Sequence, residues 1–149
     1  AIRVKNPVSE EHVLVRTSLL PSLMTILRKN KHRERPQRVF EIGDVVRNAR
    51  NKKLLAALSI HGKASFTEVK SLVQSVLQGI GMSCEVEALD NPTFLKGRCA
   101  GITVGGERVG MFGEVSPSTI TAFELKYPVV AFEMDAEKLL SLRGKRSSG

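Results

Sequence analysis

Residues 38–47 read Arg-Val-Phe-Glu-Ile-Gly-Asp-Val-Val-Arg, a strand of mixed apolar and charged character, and the rest of the chain has to fold around it. A polar run, 48–53, follows, and residues 54–61 then return as a second strand. Adjacent strands joined by a short polar turn are most simply antiparallel. On the returning strand Ala56, Leu58 and Ile60 share one face, and Ala57, Ser59 and His61 share the other. Glu41 and Asp44 fall on opposite sides of a regular pleat unless Gly43 introduces a bulge.

Helical signals flank this hairpin. Upstream, Leu20, Leu23, Met24 and Leu27 recur at helical spacing behind Thr17 or Ser18 as cap, with Pro21 in the first turn. Arg28 and Lys29 close that helix with the charge its C-terminal dipole favours. Downstream, Ser65-Phe66-Thr67-Glu68 has the form of a capping box. It opens an apolar stripe of Val69, Leu72, Val73, Val76, Leu77 and Ile80 that Gly79 and Gly81 stop. Such a stripe reads as core.

A strand at 84–88 and a second hairpin, 98–104 with 108–115 around Gly105-Gly106-Glu107, come next. Ser116-Pro117 opens a short helix to about Phe123, and a last strand spans 129–134. Asp135 caps a final helical turn, 136–142, and 143–149 reads as a disordered basic tail beyond a single domain, 1–142. Residues 1–5 read as a strand, and the absence of an initiator Met points to a fragment of a longer polypeptide. The fold class is therefore α+β: a largely antiparallel sheet covered by helices, expected here on one side.

Composition bounds the chemistry. No run approaches the roughly 18 apolar residues a membrane helix needs. Cys84 and Cys99 lack metal-ligand spacing and read as buried, reduced thiols. His12, His32 and His61 are scattered, no serine elbow or paired carboxylates stand out, and Gly62-Lys63-Ala64-Ser65 lacks the upstream glycines of a phosphate loop. The glycines between 101 and 113 fit turns, bulges and close backbone approach. The net charge of +8 attracts polyanions, and six cations, Arg28, Lys29, Lys31, Arg33, Arg35 and Arg38, are concentrated in eleven residues. They are either a solvated loop or candidate contacts to a phosphate backbone. With six Phe and one Tyr, base stacking is not expected to dominate binding.

Five segments, in order, carry a resemblance: Asn6-Pro7-Val8-Ser9-Glu10-Glu11, Val15-Arg16-Thr17-Ser18-Leu19-Leu20-Pro21, Val39-Phe40-Glu41-Ile42-Gly43, Phe66-Thr67-Glu68-Val69-Lys70 and Val109-Gly110-Met111-Phe112-Gly113-Glu114-Val115-Ser116-Pro117. Together they resemble the non-catalytic, class II synthetase-like domain of the β subunit of archaeal/eukaryotic-type phenylalanine–tRNA ligase. The resemblance implies an antiparallel sheet flanked by helices, in a cytoplasmic α₂β₂ assembly with a catalytic α subunit. It also implies ATP and Mg²⁺ for the holoenzyme and none for this chain, with tRNA-Phe as a further partner.

In active class II sites one strand carries an Arg on the ATP phosphates with a Glu two residues later. By resemblance Arg47 takes the Arg position and Ala49 the Glu position. A second, glycine-rich strand leads into a helix bearing another Arg; here Glu133 and Asp135 replace glycines and Lys138 stands near the Arg. Carboxylates there add bulk and repel a triphosphate, and Lys cannot reproduce a planar guanidinium. The expectation is a structural domain with no catalytic residue. Its candidate subunit interface is Leu20, Leu23, Met24 and Leu27, and its alternative role is tRNA binding through 28–38.

Overall fold

A computed structural model describes residues 18–148. The expected strand at 1–5, the loop after it and the Thr17 cap lie outside the described residues. Among the described residues four helices and six strands follow in the order α1 (Leu20–Lys29), β1 (Gln37–Arg47), β2 (Arg50–Ile60), α2 (Phe66–Gly79), β3 (Glu85–Ala88), β4 (Phe94–Val104), β5 (Glu107–Val115), α3 (Pro117–Ala122), β6 (Val129–Asp135) and α4 (Ala136–Ser148). The strands form one sheet, β1-β2-β6-β5-β4-β3, antiparallel throughout.

Helices cover both faces of the sheet, not one. Val129 and Ala131 of β6 join Leu54, Ala56, Leu58 and Ile60 beneath α1, while Val130, Phe132 and Met134 join Ile102 and Phe112 beneath α2. The cause is legible in β6 itself: its consecutive residues Val129 to Phe132 are all apolar, so each face needs its own cover. On the α2 side Phe66 meets Phe112 with ring centroids 5.0 Å apart. On the other, Leu20, Leu23, Met24 and Leu27 are 0–2% exposed against β1 and β2. Each buried side chain of this kind contributes about 2 kcal/mol. These four residues are core, and the expectation that they form a subunit interface is corrected accordingly.

The first hairpin is tighter than its composition indicates. Asn48 and Ala49 alone make the turn, with φ of 52° and 60°, and β2 begins at Arg50 rather than at residue 54. Arg50, Asn51, Lys52 and Lys53 are strand residues that project beyond the main core, so their polarity imitates a loop. Gly43 pairs in register with Leu54 and makes no bulge. Both turn residues have the positive φ that a two-residue hairpin loop calls for, a conformation costing alanine about 1 kcal/mol. Ala49→Gly is therefore expected to raise the unfolding free energy by about 0.5 kcal/mol, after the entropy of the freer chain, as an upward shift in the urea midpoint.

Two caps also differ from expectation. Leu19 occupies the cap position of α1, and the Ser18 hydroxyl accepts from the Leu20 N–H at 3.2 Å. At α2, Ser65 Oγ accepts from the Glu68 N–H, but the Glu68 carboxylate reaches across to Ser59, His61 and Arg38 instead of back to residue 65. Asp135 caps α4 as expected, accepting from the Lys138 N–H at 2.9 Å. That helix runs to Ser148, so residues 143–148 are helical rather than a disordered tail. Arg143, Lys145 and Arg146 are good helix formers, which lets the helix continue past Leu142 despite Gly144.

Candidate functional site

The hairpin β1–β2 and the β6–α4 junction meet at one end of the sheet, on the α1 face. There Arg47, Lys52, Arg108, Glu133, Asp135 and Lys138 line a cleft of about 300 Å³ with Gly110 and Met111 on its floor. The sequence placed Arg47, Glu133, Asp135 and Lys138 together through resemblance, and the structure brings all four into this cleft. Ala49 sits on the exposed turn beyond it.

Glu133 is the hub. It is 3% exposed, and its two oxygens take three donors: Arg47 Nη2 at 2.7 Å, Ser18 Oγ at 2.8 Å and the Leu19 N–H at 2.9 Å. A buried carboxylate is tolerated only when paired and hydrogen-bonded in this way. The arrangement ties β6, the end of β1 and the start of α1 into one knot.

The other cations lining the cleft are also held. Lys52 lies 3.7 Å from Asp135, Lys138 Nζ donates to the Arg108 carbonyl at 3.1 Å, and Arg108 pairs with Glu87. Lys52 and Arg108 were missed by sequence reasoning, Lys52 because it was read as turn. Gly101 is the signal for Arg108, whose guanidinium fills the space a Cβ would take there. Among the described residues no group of three or more His, Cys, Asp or Glu is placed to hold a metal ion. Cys99 is buried and Cys84 only partly; both are free thiols. Burial, reinforced by the Asp90 charge and opposed by Arg108, pushes the Cys99 thiol up to about 11. Burial also raises Cys84, against the pull of Lys70. Neither is an activated nucleophile.

The basic segment does not form one patch. Arg28 and Lys29 end α1, while Lys31, Arg33 and Arg35 fold back over that end. Arg38 lies on the opposite face of the sheet, 3.6 Å from Glu68. Arg35 stacks on Tyr127, its guanidinium carbon 3.6 Å from the ring centroid.

An antiparallel six-stranded sheet with helices on both faces is the fold of a class II synthetase-like domain. Structural comparison agrees: pyrrolysyl-tRNA synthetase from Desulfitobacterium hafniense superposes with a TM-score of 0.71 at 19% identity, over 87% of this chain and 50% of that one. The sequence model described as the phenylalanyl tRNA synthetase beta chain CLM domain matches residues 1–136, and the chain belongs to this family. It is similar to the phenylalanine–tRNA ligase beta subunits of Archaeoglobus fulgidus, 48% identical over 90% of this chain, and Methanocaldococcus jannaschii, 45% identical over 91%. It spans 24% and 26% of those relatives' lengths.

Proposed function

We propose that this chain is the structural, catalytically inactive synthetase-like domain of a phenylalanine–tRNA ligase β subunit. In the holoenzyme it pairs with a catalytic α subunit, in an α₂β₂ assembly that charges tRNA-Phe with phenylalanine using ATP and Mg²⁺. One observation supports the reading: the cations lining the cleft already have partners in the chain, Arg47 on the buried Glu133 among them. Binding ATP there would break the Arg47 pair and strand a buried carboxylate beside a polyanion, so the residues present do not fit the nucleotide or its metal.

The purified chain is expected to show no phenylalanine-dependent ATP–pyrophosphate exchange above a buffer control. Measurable exchange would sink the reading.

With α1 committed to the core, β1 offers one apolar surface to a partner. This edge strand exposes 76% of Phe40 and 62% of Ile42. Among the described residues no strand pairs with its outer side, and such an edge with exposed apolar side chains is a natural place for another chain to add. Co-purification with the catalytic α subunit is the direct test of the pairing.

A second reading, contact with RNA through residues 28–38, is favoured by the Arg35–Tyr127 stack. It predicts affinity that falls steeply with salt.

A further inference from the structure

A second cleft, of about 320 Å³, opens at the far end of β2 from the Glu133 knot. Its apolar floor is Leu27, Ile60 and Leu125, exposed by 1%, 4% and 5%. Around the rim stand Lys31, His32, Arg35, Lys126 and Tyr127, with Glu124 as the only acid among the lining residues.

Both walls are held in place. Arg33 N–H donates to the Asn30 carbonyl at 2.9 Å. The Gln37 side-chain amide donates to the carbonyls of Asn30 at 2.9 Å and Arg33 at 3.2 Å, and Arg35 Nη1 donates to that of Lys31 at 3.3 Å. The opposite wall is the end of α3. There the Glu124 N–H reaches Thr121 O and the Leu125 N–H reaches Ile120 O, with Glu124 left-handed at φ 59°. The cleft therefore combines an apolar slot, a stacked cation–aromatic pair and two exposed lysine charges on a pre-formed rim.

We propose that this cleft binds a nucleotide unit, its base against the apolar floor and the Arg35–Tyr127 stack and its phosphate between Lys31 and Lys126. Base stacking on aromatic and guanidinium planes tolerates any base, and the basic rim supplies the attraction for the phosphate. A pocket this size lies at the small end of the range for ligand sites, suited to one nucleotide. The unit is either free or an unpaired residue of an RNA strand. As an RNA site, the inference rests on the second reading, that this basic face meets RNA, and narrows it from a diffuse patch to one cleft that includes Tyr127 and Lys126, outside the basic segment.

The test uses the 149-residue chain and fluorescence anisotropy with a labelled 12-nucleotide oligouridylate, with UMP and AMP as competitors. Tyr127→Ala is expected to weaken oligonucleotide binding at least tenfold, within the range seen for loss of one stacked base. Lys31→Gln and Lys126→Gln should each lower the slope of log affinity against log salt by about 0.7. Lys53→Gln, at the opposite end of β2, removes the same charge and should leave affinity within twofold. Circular dichroism melting of each variant checks that the fold is intact.

Competition by UMP or AMP at concentrations comparable to the oligonucleotide would support the site as one for a free nucleotide; competition only at far higher concentrations would support it as an RNA site. No RNA or nucleotide binding by the wild-type chain would overturn both this inference and the RNA reading. Binding that is equally sensitive to Lys53→Gln and Lys126→Gln, and insensitive to Tyr127→Ala, would leave the RNA reading standing and overturn the cleft.

Discussion

Replacing Arg47 by methionine is expected to cost the chain about 2 kcal/mol of stability. Losing one partner of a buried ion pair costs about 3–5 kcal/mol; the lower figure applies because the Arg47 side chain is 41% exposed and partly screened. What is lost is less the attraction itself than the satisfaction of Glu133, which is 3% exposed and, among the described residues, keeps Ser18 and Leu19 as donors. The two partners are not equivalent. If Glu133 is removed, the Arg47 guanidinium can turn to water; if Arg47 is removed, the carboxylate cannot. A double variant, Arg47→Met with Glu133→Gln, should therefore be less destabilised than Arg47→Met alone, because a neutral amide is cheaper to leave buried than a charge. Urea unfolding of the wild type, both single variants and the double variant measures this. Simple additivity of the two single effects would show that the pair is not coupled.

A still larger effect is expected from Gly110→Ala. A Cβ on Gly110 would lie 2.2 Å from the Glu133 carbonyl oxygen and 2.9 Å from the Met134 Cα, so backbone would have to move at the centre of the sheet. Overpacking of this kind costs about 3 kcal/mol or more, a large share of the roughly 5–15 kcal/mol of a typical domain. Gly79→Ala is the matching control. It lies at the end of α2 with nothing within 4 Å of its would-be Cβ, and should be neutral or stabilising by up to about 1 kcal/mol. Comparable melting of the two variants would mean that β5 and β6 can separate locally, contrary to the close approach seen here.

Gly110 also shows what a glycine in β5 does: it admits the close approach of the neighbouring strand.

Most of the elements were legible because their signals are local. The α2 stripe, the Gly105-Gly106 turn with φ of 58° and 82°, and the Asp135 cap each depend on residues within one or two turns of each other. The tight first turn was not legible, since strand residues that outrun the core are as polar as a loop. Tyr127 passed unnoticed between Lys126 and Pro128 because its partner, Arg35, is 92 residues away in the chain.

By itself the sequence determined the antiparallel α+β architecture and the family, since periodicity, capping and motif order are properties of the chain. Only the tertiary structure decided what individual residues do. Arg47 could have been a free, ligand-gripping arginine; it is instead held by Glu133, 86 residues away, because a buried carboxylate must find its donors wherever the fold supplies them. The same holds for the α1 stripe. Its spacing announced an apolar face, but whether that face met a partner or this chain's own sheet depended on β1 and β2 arriving beneath it.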